Sequence, residues 1–173
     1  MGIQSLLTDE LTSSDIDQIT ELKDSYWSFG KNSQLSWFKN NVKKNDIHNI
    51  VKVNKSLIAY TLLKLRTYED PVSVKESKYL NFDTMIIKKK NRNFHNLRKL
   101  MKHNNEIIIS NKRVSFLLCD DDKINMYKFF GWKVINNNYF RILDRSFKQK
   151  GMIFNILDTN FINKKVFSFY WNK

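Results

Sequence analysis

The sequence predicts an α/β fold of the α+β kind, in which a mixed, largely antiparallel and twisted sheet is flanked by helices. Stretches with the alternation of β-strands take turns along the chain with stretches of helical period. No segment rich in Gly, Pro or Ser and no internal repeat divides the 173 residues. We therefore expect one domain over residues 1–173, with residues 146–173 as a C-terminal extension of further strands.

Two helices are expected near the start of the chain. Residues 13–15 are typical N-cap residues, and they precede apolar residues at helical spacing, namely Ile16, Ile19 and Leu22. A second helix is expected over residues 33–42, where one apolar stripe contains Leu35, Phe38 and Val42.

Strand patterns follow. Residues 47–53 and 57–66 are joined by the turn-forming residues 54–56, which predicts an antiparallel hairpin that ends in a loop around residues 68–71. Another strand is expected over residues 79–87. Strict alternation there would put on one face Tyr79, Asn81, Asp83, Met85 and Ile87, and on the other Leu80, Phe82, Thr84 and Ile86.

The second half of the chain repeats this alternation of elements. A basic loop over residues 88–93 opens a helix that carries Leu97, Leu100 and Met101, and residues 113–119 form a buried-strand candidate. The next helix is expected over residues 121–130, with Gly131 as its C-cap. Four more strands are expected at residues 132–135 and 139–143, paired through a turn at 136–138, and at 152–157 and 166–171.

The net charge of +13 raises the hypothesis of a basic nucleic-acid-binding protein. Lysine, asparagine and isoleucine are abundant throughout, however, and no zinc-finger, helix-turn-helix or RNP pattern is present. A basic surface equally suits a phosphate-rich small molecule. Nucleic acid is therefore an unfavoured partner.

Cysteine and hydropathy patterns exclude several other classes. The only cysteine, Cys119, lies in an apolar run, so neither a disulfide framework nor a metal site is expected. No stretch approaches the ~18 apolar residues of a membrane span, and residues 1–4 lack the pattern of a signal peptide. We expect a cytoplasmic protein without a membrane span.

From Asp83 to Trp132 the sequence resembles the core of the GNAT acyltransferases. In that family a strand leads into an Arg/Gln-x-x-Gly-x-Gly/Ala loop and a helix, followed by a strand, a helix with a Tyr, and Gly-Phe or Gly-Trp. Here the strand is residues 83–87, the loop residues 92–97, the second strand residues 116–119, and the last motif residues 127–132. The resemblance covers roughly fifty residues and implies a GNAT-like fold.

The resemblance implies an N-acyltransferase, which transfers an acetyl or short acyl group from acyl-CoA to a primary amine by direct attack. Backbone N–H groups near Met85 and Ile87 would hold the thioester. The pyrophosphate of acetyl-CoA would lie against the loop Arg92, Asn93, Phe94, His95, Asn96 and Leu97. His95 and Leu97 replace the family's small residues, so the acetyl-CoA loop is degenerate, while the nearby lysines and arginines can compensate by charge. No metal is implied.

The resemblance also implies catalytic roles. Tyr127 matches the tyrosine that protonates the departing thiolate, and Asp83 lies where a carboxylate can accept a proton from the amine. Residues of the acceptor pocket would include Tyr26, Trp27 and Phe29. The acceptor is a small-molecule amine, for which a nucleotide-linked amino sugar of surface polysaccharide biosynthesis is one candidate.

Two alternatives stay open at this point. The missing loop glycines favour a noncatalytic GNAT-like binding module, and charge alone favours a nucleic-acid-binding protein. The apolar strand at residues 166–171 is expected to extend the sheet, cover the acceptor site or join a homodimer.

Overall fold

The computed structural model describes residues 2–71, 75–156 and 159–173. Within these ranges the α-helices are α1 Ser13–Trp27, α2 Lys31–Asn41, α3 Phe94–Ser110 and α4 Ile124–Phe129. The strands are β1 Ile3–Leu7, β2 Ile47–Val53, β3 Ser56–Glu69, β4 Glu76–Ile87, β5 Ser115–Cys119, β6 Lys133–Ile135, β7 Phe140–Ile142, β8 Lys150–Phe154 and β9 Phe167–Phe169.

The strands form one mixed, mostly antiparallel sheet. Its hydrogen-bonded order is β1-β2-β3-β4-β5-β8-β6, and β9 pairs with both β3 and β7. The β4–β5 and β7–β9 pairs are parallel, whereas β1–β2, β2–β3, β3–β9, β5–β8 and β6–β8 are antiparallel. The predicted fold class is confirmed.

The chain forms two compact units. The first comprises residues 1–64 and 83–104, and the second comprises residues 65–82 and 105–173. Three elements, β3, β4 and α3, contribute residues to both. That the whole chain acts as one domain, with residues 146–173 as its extension, stays a prediction.

In the first unit, apolar side chains form two clusters. One buries residues of α1 and α2 against the strands, and its members are Ile19, Leu22, Phe38, Ile50, Leu57, Tyr60, Leu62 and Ile86. The other includes α3 and contains Val51, Ile58, Ala59, Ile87 and Leu100. The sheet of this unit therefore buries apolar residues on both sides.

Helix α1 begins with a capping box. The Thr12 hydroxyl accepts a hydrogen bond from the Asp15 N–H at 3.1 Å, and the Asp15 carboxylate accepts one from the Thr12 N–H at 2.9 Å. These bonds satisfy backbone donors that the first helical turn leaves unpaired. The N-cap is thus Thr12, one residue before the predicted stretch 13–15.

The core of the second unit is mainly aromatic. Phe116 stacks on Phe169 with ring centroids 4.1 Å apart, and Phe140 lies 5.1 Å from Phe116. Tyr68 stacks on Phe169 at 5.7 Å and belongs to β3, although the sequence predicted a loop at residues 68–71. Pairing of Tyr68 with Phe169 of β9 extends β3 beyond the predicted end.

The predicted hairpin of β2 and β3 is confirmed, and β2 has the predicted bounds. The predicted pairing of residues 132–135 with 139–143 is wrong. β6 pairs with β8, and β7 pairs with β9, because Phe140 and Ile142 pack with the aromatic residues of β9. Strand β1 was not predicted. The end of the predicted strand 152–157, at Leu157, lies outside the described residues.

The C-terminal strands extend the sheet, which is one of the three expected outcomes for them. β9 forms hydrogen bonds with β3 and with β7, and Phe167 and Phe169 are buried in the aromatic core. A homodimer through this segment stays a prediction.

Gly151 on β8 allows two strands to approach closely. A Cβ at this position would lie 2.7 Å from the Phe140 ring and 2.9 Å from Ile135 Cγ2. We expect Gly151→Ala to lower the free energy of unfolding by about 1–3 kcal/mol through overpacking. Urea denaturation measures this change.

Gly2→Ala is the matched control, because a Cβ there meets nothing within 4 Å. It should change stability by less than about 0.5 kcal/mol. A Gly151→Ala protein as stable as its parent would show that Phe140 and Ile135 can move aside without cost, contrary to the close packing described.

Candidate functional site

A buried ion pair connects β3 and β4 in the first unit. Lys64 Nζ donates to Asp83 Oδ1 at 3.2 Å, and the Thr84 hydroxyl donates to Asp83 Oδ2 at 3.1 Å. The side chains of Lys64 and Asp83 are only 1% and 10% exposed. Both carboxylate oxygens therefore have partners, which favours a positioning role for Asp83. Its predicted role as proton acceptor stays a prediction.

Lys23 of α1 lies in an aromatic pocket beside this pair. Its Nζ is 3.1 Å from the ring centroid of Trp37 on α2 and 5.6 Å from that of Trp27. Burial lowers the pKa of the Lys23 ammonium to about 8. The charge of Asp83 opposes this lowering, and Lys64 adds to it. Lys23, Lys64 and Asp83, with the two indoles, form what we call the lysine cluster.

Strand β4 does not keep the strict alternation that the sequence predicts. Asp83 accepts a hydrogen bond from Lys64, and Lys64 lies two residues after Leu62 on β3, so it faces the same side of the sheet as Leu62. Ile86 faces that side too, because it packs in the same cluster as Leu62. Met85, expected on the face of Asp83, packs instead with the α3 cluster. Asp83 and Ile86 thus share a face although they are three residues apart. A β-bulge has this effect, and bulges are common next to functional sites.

The basic loop after β4 contains a short 3₁₀ turn, Lys89–Asn91, and then Arg92. Arg92 Nε donates to the Ile87 carbonyl oxygen at 2.9 Å, and its guanidinium carbon lies 5.2 Å from the Tyr26 ring centroid. The structure therefore brings together one residue of the predicted cofactor loop and one of the predicted acceptor pocket.

Helix α3 begins within the predicted cofactor loop. Asn93 Oδ1 accepts a hydrogen bond from the Asn96 N–H at 2.8 Å, as an N-cap side chain does. Asn96 Nδ2 in turn donates to the Asn91 carbonyl oxygen at 2.8 Å. The cap occupies one of the backbone donors that an anion at the helix N-terminus would use.

The two large side chains of the predicted cofactor loop, His95 and Leu97, have different surroundings. Leu97 is half-buried and packs with Val51, Ile58 and Leu100 in the α3 cluster. His95 is exposed. Leu97 therefore contributes to the core of the first unit, whereas the His95 side chain is left at the surface of the loop.

The predicted acceptor residues lie at the end of α1. Tyr26 and Phe29 are 50% and 69% exposed, and the Tyr26 ring meets Trp27 edge-on at 5.0 Å. Ser28 ends the helix in the left-handed conformation, with φ 53°. Trp27 packs against the α1–α2 cluster as well as near Lys23. Binding of an acceptor by these residues stays a prediction.

Tyr127 lies on α4 in the second unit. Its half-buried ring makes edge contacts with Phe82, at 6.3 Å between centroids, and with Trp132, at 6.0 Å. Phe82 directly precedes Asp83 in β4. Gly131, with φ 85°, follows the helix as predicted for a C-cap, and the turn orients Trp132. The catalytic role of Tyr127 stays a prediction.

Asn81 of β4 is fully buried, and among the described residues neither its Oδ1 nor its Nδ2 has a hydrogen-bond partner. Its backbone lies in register with Phe116 of β5. A buried amide without partners is unusual, and a polar ligand group or a water molecule would satisfy it.

Cys119, His48 and His103 lie in other surroundings. Cys119 is buried, and burial together with the neighbouring aspartates raises the pKa of its thiol to about 11. His48 is buried between the Thr8 hydroxyl and the Tyr60 hydroxyl, each at 2.9 Å. His103 contacts the Ser5 hydroxyl at 2.8 Å. Neither histidine belongs to the lysine cluster.

Two absences hold for the part of the chain that the structure describes. No three His, Cys, Asp or Glu side chains lie close enough together to hold a metal ion. No helix is long and apolar enough to cross a membrane. The cytoplasmic location stays a prediction.

Sequence reasoning missed Lys23 and Lys64. Each interrupts an apolar pattern. On α1, Lys23 lies one helical turn after Ile19 and directly after Leu22. On β3, Lys64 lies between Leu63 and Leu65. A lysine on the buried face of an amphipathic element is rarely tolerated without a partner, so such an interruption could have indicated a site.

No protein-family model matches this sequence, and no curated protein does. Solved structures do match. ElaA of Escherichia coli has 16% sequence identity and a TM-score of 0.67, over 88% of this chain and 99% of that one.

Two further structures are similar. An aminoglycoside 6'-N-acetyltransferase complexed with coenzyme A has 13% identity and a TM-score of 0.63, covering 88% of this chain and 96% of the other. An acetyltransferase of the GNAT family from Staphylococcus aureus has 10% identity and a TM-score of 0.59, covering 88% and 98%. The chain therefore has a GNAT-like fold.

His48 makes the stability of the protein depend on pH. Burial, aided by the charge of Lys23, lowers the pKa of His48 from 6.5 to about 4. The unfolded chain therefore binds a proton at His48 more readily than the folded chain does. The contribution of His48 to the free energy of unfolding is fully present above pH 6.5, and it decreases as the pH falls towards 4. Over this range the free energy of unfolding falls by roughly 3 kcal/mol.

We expect His48→Gln to flatten the stability profile between pH 6.5 and 4, as measured by urea denaturation at each pH. His95→Gln, at an exposed position, is the control and should leave the profile unchanged. An unchanged profile in His48→Gln would mean that another group causes the acid sensitivity.

Proposed function

We propose that this protein is an acyl-CoA-dependent N-acyltransferase, which transfers an acetyl or short acyl group to a primary amine. The observation that supports it most strongly is the GNAT-like fold over 88% of the chain, shared with an acetyltransferase solved with coenzyme A. Arg92 and Asn93 precede α3, residues 94–97 form its first turn, and Tyr127 lies on α4, which is compatible with the proposal.

The residues around the start of α3 fit acetyl-CoA in three respects. Leu97 packs into the core, the exposed Lys88, Lys89 and Lys90 supply positive charge, and Arg92 is fixed by Ile87 and Tyr26. The Asn93 cap is the one feature that competes with a pyrophosphate. We propose that residues 92–97, with the backbone of Met85 and Ile87, hold the cofactor, which supplies the acyl group as an activated thioester.

The side chains of this protein supply proton transfer and positioning in the proposed reaction. The Tyr127 phenol is proposed to donate a proton to the leaving thiolate, a role for which a half-buried hydroxyl is suited. Asp83 accepts a proton from the amine or, as its contacts with Lys64 and Thr84 favour, fixes the charges of the lysine cluster. The amine attacks directly, so the buried Cys119 is not required.

The acceptor is proposed to bind near the end of α1, where Tyr26, Trp27 and Phe29 lie. An amino sugar linked to a nucleotide remains a candidate, because the exposed rings of Tyr26 and Phe29 provide apolar faces and Arg92 provides charge beside them. A mixture of primary amines tested with acetyl-CoA, with release of free thiol as the readout, tests the proposed activity.

A noncatalytic GNAT-like binding module is the second candidate. The occupied Asn96 N–H and the exposed His95 at the cofactor loop favour it. Acetyl-CoA binding without thiol release, for every acceptor tested, would support the module and exclude the enzyme.

We expect Tyr127→Phe to lower kcat by about 10²–10⁴-fold, because the variant cannot protonate the leaving thiolate. Binding of acetyl-CoA, measured by calorimetry, should be unchanged since the ring is kept. Thiol release under saturating substrates gives kcat.

Tyr139→Phe is a matched control in the same unit, because this tyrosine packs at the edge of the aromatic core. It should retain full activity. A Tyr127→Phe enzyme that also keeps its kcat would remove Tyr127 from the proposed mechanism.

A further inference from the structure

Lys23 is a buried cation without a hydrogen-bond acceptor. The residue is 4% exposed, and its nitrogen faces the Trp37 and Trp27 rings at 3.1 and 5.6 Å. Among the described residues no side chain or carbonyl accepts a hydrogen bond from it. An ammonium has three donors, and ring faces attract its charge without satisfying those donors. A ligand oxygen would satisfy them.

The neighbouring charges do not supply that oxygen. Four titratable groups act on one another here: Lys23 on α1, His48 on β2, Lys64 on β3 and Asp83 on β4. Asp83 is the only carboxylate among them, and its Oδ1 already accepts from Lys64 and its Oδ2 from Thr84. His48 is neutral at physiological pH because burial lowers its pKa to about 4.

A second buried donor lies on the helix that carries Trp37. Gln34, 3% exposed, is one helical turn before Trp37 on α2, and among the described residues its Nε2 has no hydrogen-bond partner. In the described part of the chain, helix α1 thus carries a cation without a protein acceptor, and helix α2 carries a buried amide donor without one. An anionic ligand group supplies several acceptor oxygen atoms.

We propose that the acceptor amine also carries a carboxylate or phosphate group, and that Lys23 binds this group in the aromatic pocket of Trp27 and Trp37. The inference rests on the proposed acyl-transfer function and specifies its substrate class. The anion replaces the missing acceptor of Lys23 and leaves the Lys64–Asp83 pair intact.

The position of Lys23 also argues against a neutral acceptor that stacks on Trp37. The ammonium lies 3.1 Å above that ring centroid, so it covers the indole face that a sugar ring would need. Exposed rings suitable for stacking, Tyr26 and Phe29, lie further along α1 and after it. Charge recognition at Lys23 and stacking at Tyr26 are therefore compatible within one acceptor.

The proposal is tested by comparing kcat/KM for charged and neutral acceptors of similar structure, with acetyl-CoA as the acyl donor. β-Alanine is compared with its methyl ester, and glucosamine 6-phosphate with glucosamine, so that the two pairs distinguish a carboxylate from a phosphate. We expect the anionic member of one pair to be preferred at least tenfold. Lys23→Met should reduce this preference to threefold or less, because it keeps an unbranched side chain only one atom shorter and removes the charge.

Lys31→Met is the control variant, because Lys31 lies on α2 and its side chain is 54% exposed. It should keep the wild-type preference. Equal use of charged and neutral acceptors by the wild type, or an unchanged preference in Lys23→Met, would overturn the proposal.

A binding measurement on the wild-type protein separates this inference from the proposed function. Inorganic phosphate and acetate are titrated separately, without acyl-CoA, while the Lys23 ammonium resonance is followed by NMR. We expect a saturable shift and a raised pKa of Lys23, since a bound anion stabilises the ammonium. An unchanged resonance with both anions would overturn the inference even if acyl transfer occurs. A shift without any turnover would instead contradict the enzyme and support the anion site.

Discussion

The buried pair of Lys64 and Asp83 is the constraint on which the rest of the candidate site depends. Both side chains are almost fully removed from water, and breaking a buried ion pair by removing one partner typically costs about 3–5 kcal/mol. Their bond requires Asp83 to face the side of β3 that carries Leu62. The break in alternation along β4 follows from that requirement, since Ile86 faces the same side.

The same pair explains why Lys23 can be buried at all. Asp83 supplies a nearby negative charge that favours the Lys23 ammonium, and Trp37 supplies a ring face, while burial opposes both. The balance leaves a cation whose donors lack an acceptor. This combination of charge and unsatisfied donors is common at functional sites, because stability alone would favour an apolar residue at the position.

One packing contact and one hydrogen bond hold the start of α3. Leu97 packs with Leu100 and Ile58 in the α3 cluster. Asn93 caps the helix by accepting a hydrogen bond from the Asn96 N–H. An anion bound at this helix N-terminus would compete with Asn93 for that donor.

Much of the fold could be predicted from local patterns. The β2–β3 hairpin was found because strand alternation and turn residues lie next to each other in the sequence, and α1 was found from the spacing of Ile16, Ile19 and Leu22. The pairing of β6 with β8 was missed because it depends on residues far apart, including Gly151, which allows Ile135 and Phe140 to approach.

The candidate site was less predictable for the same reason. Family motifs indicated Asp83, Arg92 and Tyr127, but the partners of Asp83 come from other elements. A single lysine within an apolar stretch, such as Lys64, carries no sign of the carboxylate that it will meet. The break in alternation along β4 likewise accompanies that tertiary contact, so strict alternation was the natural expectation.

Calorimetry with acetyl-CoA tests whether the loop after β4 binds the acyl donor. The titration is done in moderate salt, which screens nonspecific attraction to a chain of net charge +13. We expect saturable one-to-one binding that Arg92→Gln weakens about tenfold, because a charge-assisted contact is lost. No binding by the folded wild-type protein, or binding that Arg92→Gln leaves unchanged, would contradict the assignment of the loop after β4 as the acyl-CoA site.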